Sequence, residues 1–161
     1  MTHCGIEVDE AGVMLRPGRR SEIVRRRAAE MALPEVKRYT GADCGSDVEL
    51  MDALMQCING ADGYEIVTSL ESFGWCGGSA LVEIFNANFI GMAERELVEQ
   101  WVRCLGVKLE VPIGASVLIK GGRGQGKVVK HFPEAAKYGV RTAEQGPLEY
   151  CVLLPEEIEV L

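Results

Sequence analysis

The most suggestive chemical pattern in the chain is a glycine-rich run in its C-terminal third. Gly121 is followed after four residues by Gly126 and Lys127, which is the spacing of the phosphate-binding loop of nucleotide enzymes. That loop requires a Ser or Thr in the next position and a helix after it. Val128 occupies the position instead, and residues 128–132 look extended. The run therefore predicts a hairpin whose glycines supply positive φ, and not a nucleotide site.

A second candidate for chemistry pairs a cysteine with a histidine. In papain-like hydrolases a nucleophilic Cys at the start of a helix is activated by a His from a later, β-rich region. Cys76, in the run FGWCGGSALVEIF, and His131, in GKVVKHF, occur in that order. No Asn or Asp is clearly placed to orient His131, and a Cys between Trp75 and two glycines is also typical of a turn that packs its aromatic ring. A papain-like cysteine hydrolase is one alternative.

The other reactive side chains form no recognisable metal or cofactor site. Six cysteines are scattered without a C-x-x-C pair, and the acidic residues show no D-x-D or H-E-x-x-H arrangement. We therefore expect no metal, no cofactor and mostly buried cysteines. The chain has no run of about eighteen apolar residues and no basic and then apolar signal segment at its N-terminus. The sequence thus predicts a cytoplasmic protein without membrane contact.

The net charge of −7 on the 161 residues is distributed very unevenly. Residues 16–38 carry +5, residues 39–107 carry −9, and residues 108–141 carry +5 again. Arg25, Arg26 and Arg27 lie on one predicted helix in the first basic island. Such islands can bind a polyanion, or they can pair with the acidic middle, and counting does not separate these alternatives.

Periodicity predicts an α+β layer for residues 1–107. A helix capped by Ser21 should stop before Pro34, and a second should follow the capping box S-x-x-E that begins at Ser46. Residues 64–71 alternate like a strand. Residues 79–89 fit a strand or a helix, and the strand is favoured because Asn and β-branched residues are poor helix formers. A last helix follows in AERELVEQWVRCLG, so the expected order is helix, hairpin, helix.

Residues 108–161 follow a different rhythm, with short β runs separated by Gly and Pro. Five candidate strands, with a tight turn after Pro155 ahead of the last, suggest a small β-barrel. The order Gly114, Val117, Ile119, then residues 121–128 with their Gly-Lys-Val, resembles the KOW-type pattern of Src-homology-3-like barrels. That resemblance implies a five-stranded barrel with a one-turn helix before its last strand. It also implies a binding role, towards RNA, DNA, peptides or a neighbouring domain.

These observations leave three functions open. The function favoured by the sequence is a non-enzymatic adaptor or inhibitor, of a kind common among phage and mobile-element accessory proteins, whose acidic middle docks on a basic, nucleic-acid-handling protein. An alternative is nucleic-acid binding through the glycine turn of the barrel, with Phe132 and Tyr138 as stacking candidates and Arg25, Arg26 and Arg27 as a second anion site. The cationic turn comprises Lys120, Arg123, Gly124, Lys127 and Lys130. The third function is the cysteine hydrolase.

Overall fold

The computed structural model describes residues 14–40, 46–59 and 62–161, and the backbone of two short antiparallel strands, β1 (Thr2–His3) and β2 (Ile6–Glu7). The chain divides into two compact units, Met1–Val98 and Glu99–Leu161. The first unit contains most of the helices and the second a five-stranded antiparallel sheet, so the predicted α+β class is confirmed. Within the described residues, no helix is long and apolar enough to cross a membrane.

The helical part of the chain packs around one apolar core. Its helices are α1 (Glu22–Thr40), α2 (Asp47–Cys57), α3 (Gly63–Ser72), α4 (Ser79–Phe85) and α5 (Phe89–Leu105), the last of which crosses the division between the units. Helix α1 packs against α2 and α4, and α3 packs against α2 and α4. Fully buried Leu54, Leu70 and Leu81 contribute one side chain each from α2, α3 and α4 to this core.

Helix α1 does not stop before Pro34, so that prediction is wrong. The helix continues through the proline to Thr40. An internal proline removes one backbone hydrogen bond and costs about 3 kcal/mol. Val24, Ala28, Ala32 and Val36 follow one another every four residues and are all buried. Burial of these side chains on both sides of Pro34 offsets the cost of the proline. The local sequence does not show this burial, because it depends on packing against other helices.

The strand predicted over residues 64–71 is a helix, α3. Its N-terminus is capped by Asp62, whose carboxylate accepts a hydrogen bond of 2.9 Å from the Glu65 amide. Ile66 and Leu70 are buried as both patterns require, but Val67 is buried beside them and Thr68 is exposed. The burial therefore has the period of a helix and not the alternation of a strand.

The preference for a strand over residues 79–89 is also wrong, because residues 79–85 form α4 and Phe89 begins α5. The asparagines that argued against a helix lie where the helix ends. Asn86 is the C-cap of α4, and its side-chain oxygen accepts a 3.1 Å hydrogen bond from the Gly63 amide. Asn88 has a left-handed backbone with φ of 56°. A Cβ on Gly63 would overlap the Val82 carbonyl, so glycine is required where α3 meets α4.

The second unit contains the five strands that the sequence predicted. They are β3 (Ser116–Ile119), β4 (Gln125–Phe132), β5 (Lys137–Thr142), β6 (Cys151–Leu153) and β7 (Ile158–Val160), in the spatial order β6-β5-β4-β3-β7. The predicted turn after Pro155 is a one-turn 3-10 helix, Pro155–Glu157, between β6 and β7. These two edge strands are not seen to pair, so closure of the sheet into a barrel is not detected.

Strand β4 contains a β-bulge that changes the direction of its side chains. Val128 pairs with Val140, but the next pair joins Lys130 to Gly139, which leaves Val129 as an extra residue. Val128, Val140 and Tyr138 face the buried side of the sheet. Lys127 and Lys130 therefore both face the opposite side, which we call the outer face.

The capping box of α2 provides a test of the helical unit. The Ser46 hydroxyl accepts a hydrogen bond from the Glu49 amide, and the Glu49 carboxylate accepts one from the Ser46 amide. Ser46→Ala should lower the free energy of unfolding by about 1 kcal/mol, because it leaves a helix N-terminal amide unsatisfied. Ser79→Ala is the matched control, since α4 has no side-chain cap and Ser79 is exposed. Equal urea-unfolding curves for both variants would contradict the role of the capping box.

Candidate functional site

A groove of about 560 Å³ lies in the first unit, where α2 faces the loop between α3 and α4. Its lining residues are Glu49, Asp52, Ala53, Gln56, Phe73, Gly74, Trp75 and Cys76, and we call it the acidic groove. Helix α2 supplies the carboxylates and the amide of this lining. The loop supplies two aromatic side chains and a thiol.

The end of α3 explains how the aromatic side chains reach the groove. Phe73 is the C-cap of the helix, and Gly74 follows with a positive φ of 86°. This reversal lets the Trp75 amide donate a 3.2 Å hydrogen bond to the Leu70 carbonyl. Trp75 packs partly against the helical core, whereas Phe73 stays 50% exposed. A half-exposed phenylalanine beside a half-buried tryptophan is apolar surface available for a ligand.

The electrostatic environment of the acidic groove is negative. Residues 46–88 contain seven acidic side chains and no Lys, Arg or His. Asp47 is paired with Lys37 at 2.7 Å, but Asp52 has no ion-pair partner in the described part of the chain. Hydrogen bonds from the Ser46 amide and hydroxyl lower the pKa of Glu49, so this carboxylate is ionised at neutral pH. The two carboxylates that line the groove, Glu49 and Asp52, thus have no basic residue close to them in the sequence.

The arginines of the first basic island are largely paired with acidic residues. Arg27 donates to Glu96 at 2.9 Å and to Glu30 at 3.2 Å, and these bonds raise its pKa. Arg26 is paired with Glu22 at 3.2 Å. Arg25 differs, because its Nε is buried and has no hydrogen-bond partner among the described residues. The island therefore uses two of its three consecutive arginines in ion pairs within the helical unit.

The glycine turn is a hairpin between β3 and β4, as its sequence predicts. Gly121, Gly122 and Gly124 all have positive φ, between 75° and 85°. The side chain of Arg123, at the tip of the hairpin, is held by two hydrogen bonds. Its Nη2 donates to Glu157 Oε1 at 2.8 Å and its Nε donates to the Lys120 carbonyl at 3.3 Å. Arg123 is therefore a structural cation that joins the turn to the 3-10 helix before β7. Lys120 is exposed beside it.

Lys127 and Lys130, the two other lysines of the predicted site, lie together on the outer face of the sheet. Lys127 is opposite Ser116 on β3 and Arg141 on β5. Around this row is a shallow depression of about 340 Å³, which we call the sheet hollow. Its lining residues are Ser116, Gln125, Gly126, Lys127, Val129, Arg141, Thr142 and Ala143.

An aromatic pair lies next to the sheet hollow. The rings of Phe132 and Tyr150 are 6.0 Å apart between centroids, and the Lys130 ammonium lies 4.8 Å above the Phe132 ring. Tyr138 cannot join them, since it is only 2% exposed on the buried side of the sheet. The sequence named Phe132 but missed Arg141 and Tyr150, because only the strand register brings them to this face. The alternation of Lys137, Gly139 and Arg141 along β5 was the signal that could have placed Arg141.

Cys76 and His131 lie in different units, and each has a local structural setting. Cys76 is exposed in the loop that precedes α4, three residues before the helix begins. His131 Nε2 is bonded to the Val111 carbonyl at 2.8 Å, while the Tyr138 hydroxyl accepts a 3.1 Å hydrogen bond from the Val111 amide. The histidine and the tyrosine, which are opposite each other on β4 and β5, therefore hold both backbone groups of one residue.

The comparisons with known protein families, curated proteins and solved structures find no match for this chain. Across residues 14–40, 46–59 and 62–161, no three His, Cys, Asp or Glu side chains cluster where they could hold a metal ion. The function must therefore be inferred from the acidic groove and from the outer face of the sheet.

The ion pair between Arg123 and Glu157 predicts that the free energy of unfolding depends on pH. The Leu154 amide, and then Arg123, lower the pKa of Glu157 below its ordinary value of 4.5. This carboxylate therefore stabilises the fold above pH 4.5, and the contribution is lost as the pH falls through its depressed pKa. Glu157→Gln should reduce the free energy of unfolding at pH 7 by up to about 1 kcal/mol, the range of exposed ion pairs.

The comparison with wild type should be made by urea unfolding at neutral and at acidic pH. The difference in free energy of unfolding between wild type and Glu157→Gln should be smaller at acidic pH than at neutral pH. Glu156→Gln is the matched control, since Glu156 is exposed and has no ion-pair partner among the described residues. A gap that is constant with pH would show that Glu157 does not act through its charge.

Proposed function

We propose that this chain is a non-enzymatic binding protein, an adaptor or inhibitor, that holds a basic segment of a protein partner in the acidic groove. The observation that carries the proposal is the composition of that groove. Carboxylates of α2 and the aromatic side chains of Phe73 and Trp75 line one concave site of about 560 Å³. This volume is within the range of ligand-binding clefts.

The groove combines the two interactions that an arginine or lysine side chain forms best. A guanidinium stacks on aromatic faces and bonds to carboxylates, and a lysine ammonium is attracted to both. Phe73 and Trp75 supply the aromatic surface, and Glu49 and Asp52 supply the charge. A neutral peptide would gain only the apolar contact, and an acidic peptide would in addition be repelled by the carboxylates. The chemistry therefore favours a basic side chain with apolar neighbours.

The distribution of charge between the units supports the same partner. Glu99–Leu161 contains equal numbers of acidic and basic side chains, so the whole formal charge of −7 belongs to Met1–Val98. A net negative unit attracts basic surfaces at long range and raises their rate of association. Proteins that handle nucleic acid carry such basic surfaces, which makes them the class of partner we propose.

We also propose that the sheet is a small barrel of the Src-homology-3-like type. Strands β6 and β7 are the opposite edges of the sheet, and in a flat sheet of five strands they would be about 19 Å apart. The connection from Leu153 to Ile158 cannot exceed about 18 Å even when fully extended. Its 3-10 turn, which rises about 2 Å per residue, makes it much shorter. This short connection favours a strongly curled sheet.

A charge-reversal pair tests the groove. The probes are fluorescein-labelled peptides with Arg or Lys flanked by Leu, and the same peptides with Glu in place of the basic residue. The basic peptides should bind and the acidic ones should not. Asp52→Lys should weaken binding about tenfold, or about 1.4 kcal/mol. Glu83→Lys, which makes the same charge change at an exposed position of α4 outside the groove, should have little effect. Equal losses in both variants would assign the binding to net charge and reject the groove.

Cys76 provides a second, independent readout, because it lines the groove and is exposed. A bound basic peptide should slow the alkylation of Cys76 by iodoacetamide. It should leave Cys104 and Cys151, which are exposed elsewhere, unchanged. Proteolytic digestion of the alkylated protein, followed by mass spectrometry, measures the alkylation rates of all three cysteines in one sample. Unchanged labelling of Cys76 at saturating peptide would place the binding site outside the groove.

A further inference from the structure

We propose that the outer face of the sheet binds single-stranded nucleic acid, with a phosphate in the sheet hollow and a base on Phe132 and Tyr150. This site is separate from the acidic groove, and it does not depend on the proposed protein partner. It also differs from the glycine turn, the nucleic-acid site that the sequence offered as an alternative, because Arg123 at the tip of that turn is bonded to Glu157.

The sheet hollow contains a pair of like charges. Lys127 and Arg141 are directly opposite each other on β4 and β5, an arrangement that destabilises a sheet unless a counter-charge is present. Neither side chain has an ion-pair partner among the described residues. Arg141 is held in place, since its Nε donates to the Glu149 carbonyl at 3.2 Å. The held guanidinium of Arg141, the ammonium of Lys127 opposite it and the exposed Ser116 on the neighbouring strand suit a phosphate.

The aromatic pair, Phe132 and Tyr150, lies over a glycine of β5. Gly139 forms the floor beneath it, since a Cβ there would be 3.1 Å from both Lys130 Cβ and Tyr150 Cδ2 and 3.5 Å from Phe132 Cε2. The absence of a side chain at this position lets two aromatic rings and a lysine stem converge over the strand. Both rings are half-buried, so part of each remains accessible. Aromatic side chains on a sheet surface stack nucleic-acid bases without selecting among them.

The spacing of the two features matches a nucleotide chain. Arg141 and Gly139 are two residues apart on β5, which is about 7 Å along the strand. This is comparable with the reach of one nucleotide from its phosphate to its base. Lys130, beside the aromatic pair, offers a third cation to the next phosphate. A duplex keeps its bases stacked internally, so a single strand fits this face better.

The overall charge does not oppose binding to this face. The sheet unit Glu99–Leu161 has equal numbers of acidic and basic side chains. Three of its basic residues, Lys127, Lys130 and Arg141, share the outer face of adjacent strands. One acidic residue, Glu159, lies on the same face but on the edge strand β7, opposite Leu118. Strands β4 and β5 themselves contain no acidic residue, so the charged side chains that they place on this face are all positive.

The test is fluorescence anisotropy of a labelled 20-nucleotide oligo(dT), titrated with the full chain at several salt concentrations. The wild type should bind the single strand more tightly than the oligo(dT)·oligo(dA) duplex. Lys127→Gln and Arg141→Gln should each weaken binding and reduce the slope of log K against log salt by about 0.7. Lys108→Gln, which removes an exposed positive charge outside the hollow, is the matched control and should leave both quantities unchanged.

The aromatic contribution is tested separately from the charge. Tyr150→Leu should weaken binding about tenfold without changing the salt slope, because stacking releases no counterions. Tyr64→Leu, at an exposed tyrosine of the helical unit, is its control. No binding of oligo(dT) at low salt would overturn the proposal, as would equal effects of Lys127→Gln and Lys108→Gln. Displacement of the strand by sub-millimolar thymidine monophosphate would assign the hollow to free nucleotides, and would also overturn it.

Discussion

The β-bulge at Val129 decides which residues the sheet unit buries and which it presents. In a regular strand, residues 127 and 130 would point to opposite faces, because side chains alternate with a period of two. The extra residue shifts this alternation, so both lysines reach the outer face. It also returns His131 to the inner face, where the histidine and Tyr138 hold the backbone of Val111. Without the bulge, a lysine would face the core or this double hydrogen bond would be lost.

The two units use charge in opposite ways. In the helical unit several cations form ion pairs, as Arg27 does with Glu96, while Asp52 has no ion-pair partner among the described residues. On the outer face of the sheet Lys127 and Arg141 have no ion-pair partner within the part of the chain that the structure describes, whereas Arg123 at the nearby turn is bonded to Glu157. This division of charge is the basis for the two different ligands that we propose. The net charge of the chain conceals this division.

The features that could be predicted from the sequence are those set by a few neighbouring residues. The capping box at Ser46 and the glycine turn are of this kind, and both form as predicted. Helix α3 is not predicted because Ile66 and Leu70 share one face in a strand and in a helix alike. Only the burial of Val67 and the exposure of Thr68 distinguish the two structures, and the sequence does not show either. Lys127 and Lys130 were recognised by type. Their neighbours Arg141 and Tyr150, and the groove beside Phe73, depend on register and packing that no short segment specifies.

The strand order of the sheet also has a consequence for how this unit folds. Strands β3, β4 and β5 each pair with the next strand along the chain, so their contacts close short loops. Strand β7 instead returns to β3, and joins Val160 to Val117 across most of the unit. Contacts of such long range carry the highest entropic cost of closure and form late. We therefore expect strands β3 to β6 to assemble first, and β7 to pair afterwards with the free edge of β3. Amide hydrogen exchange would report the reverse order, with β7 opening first.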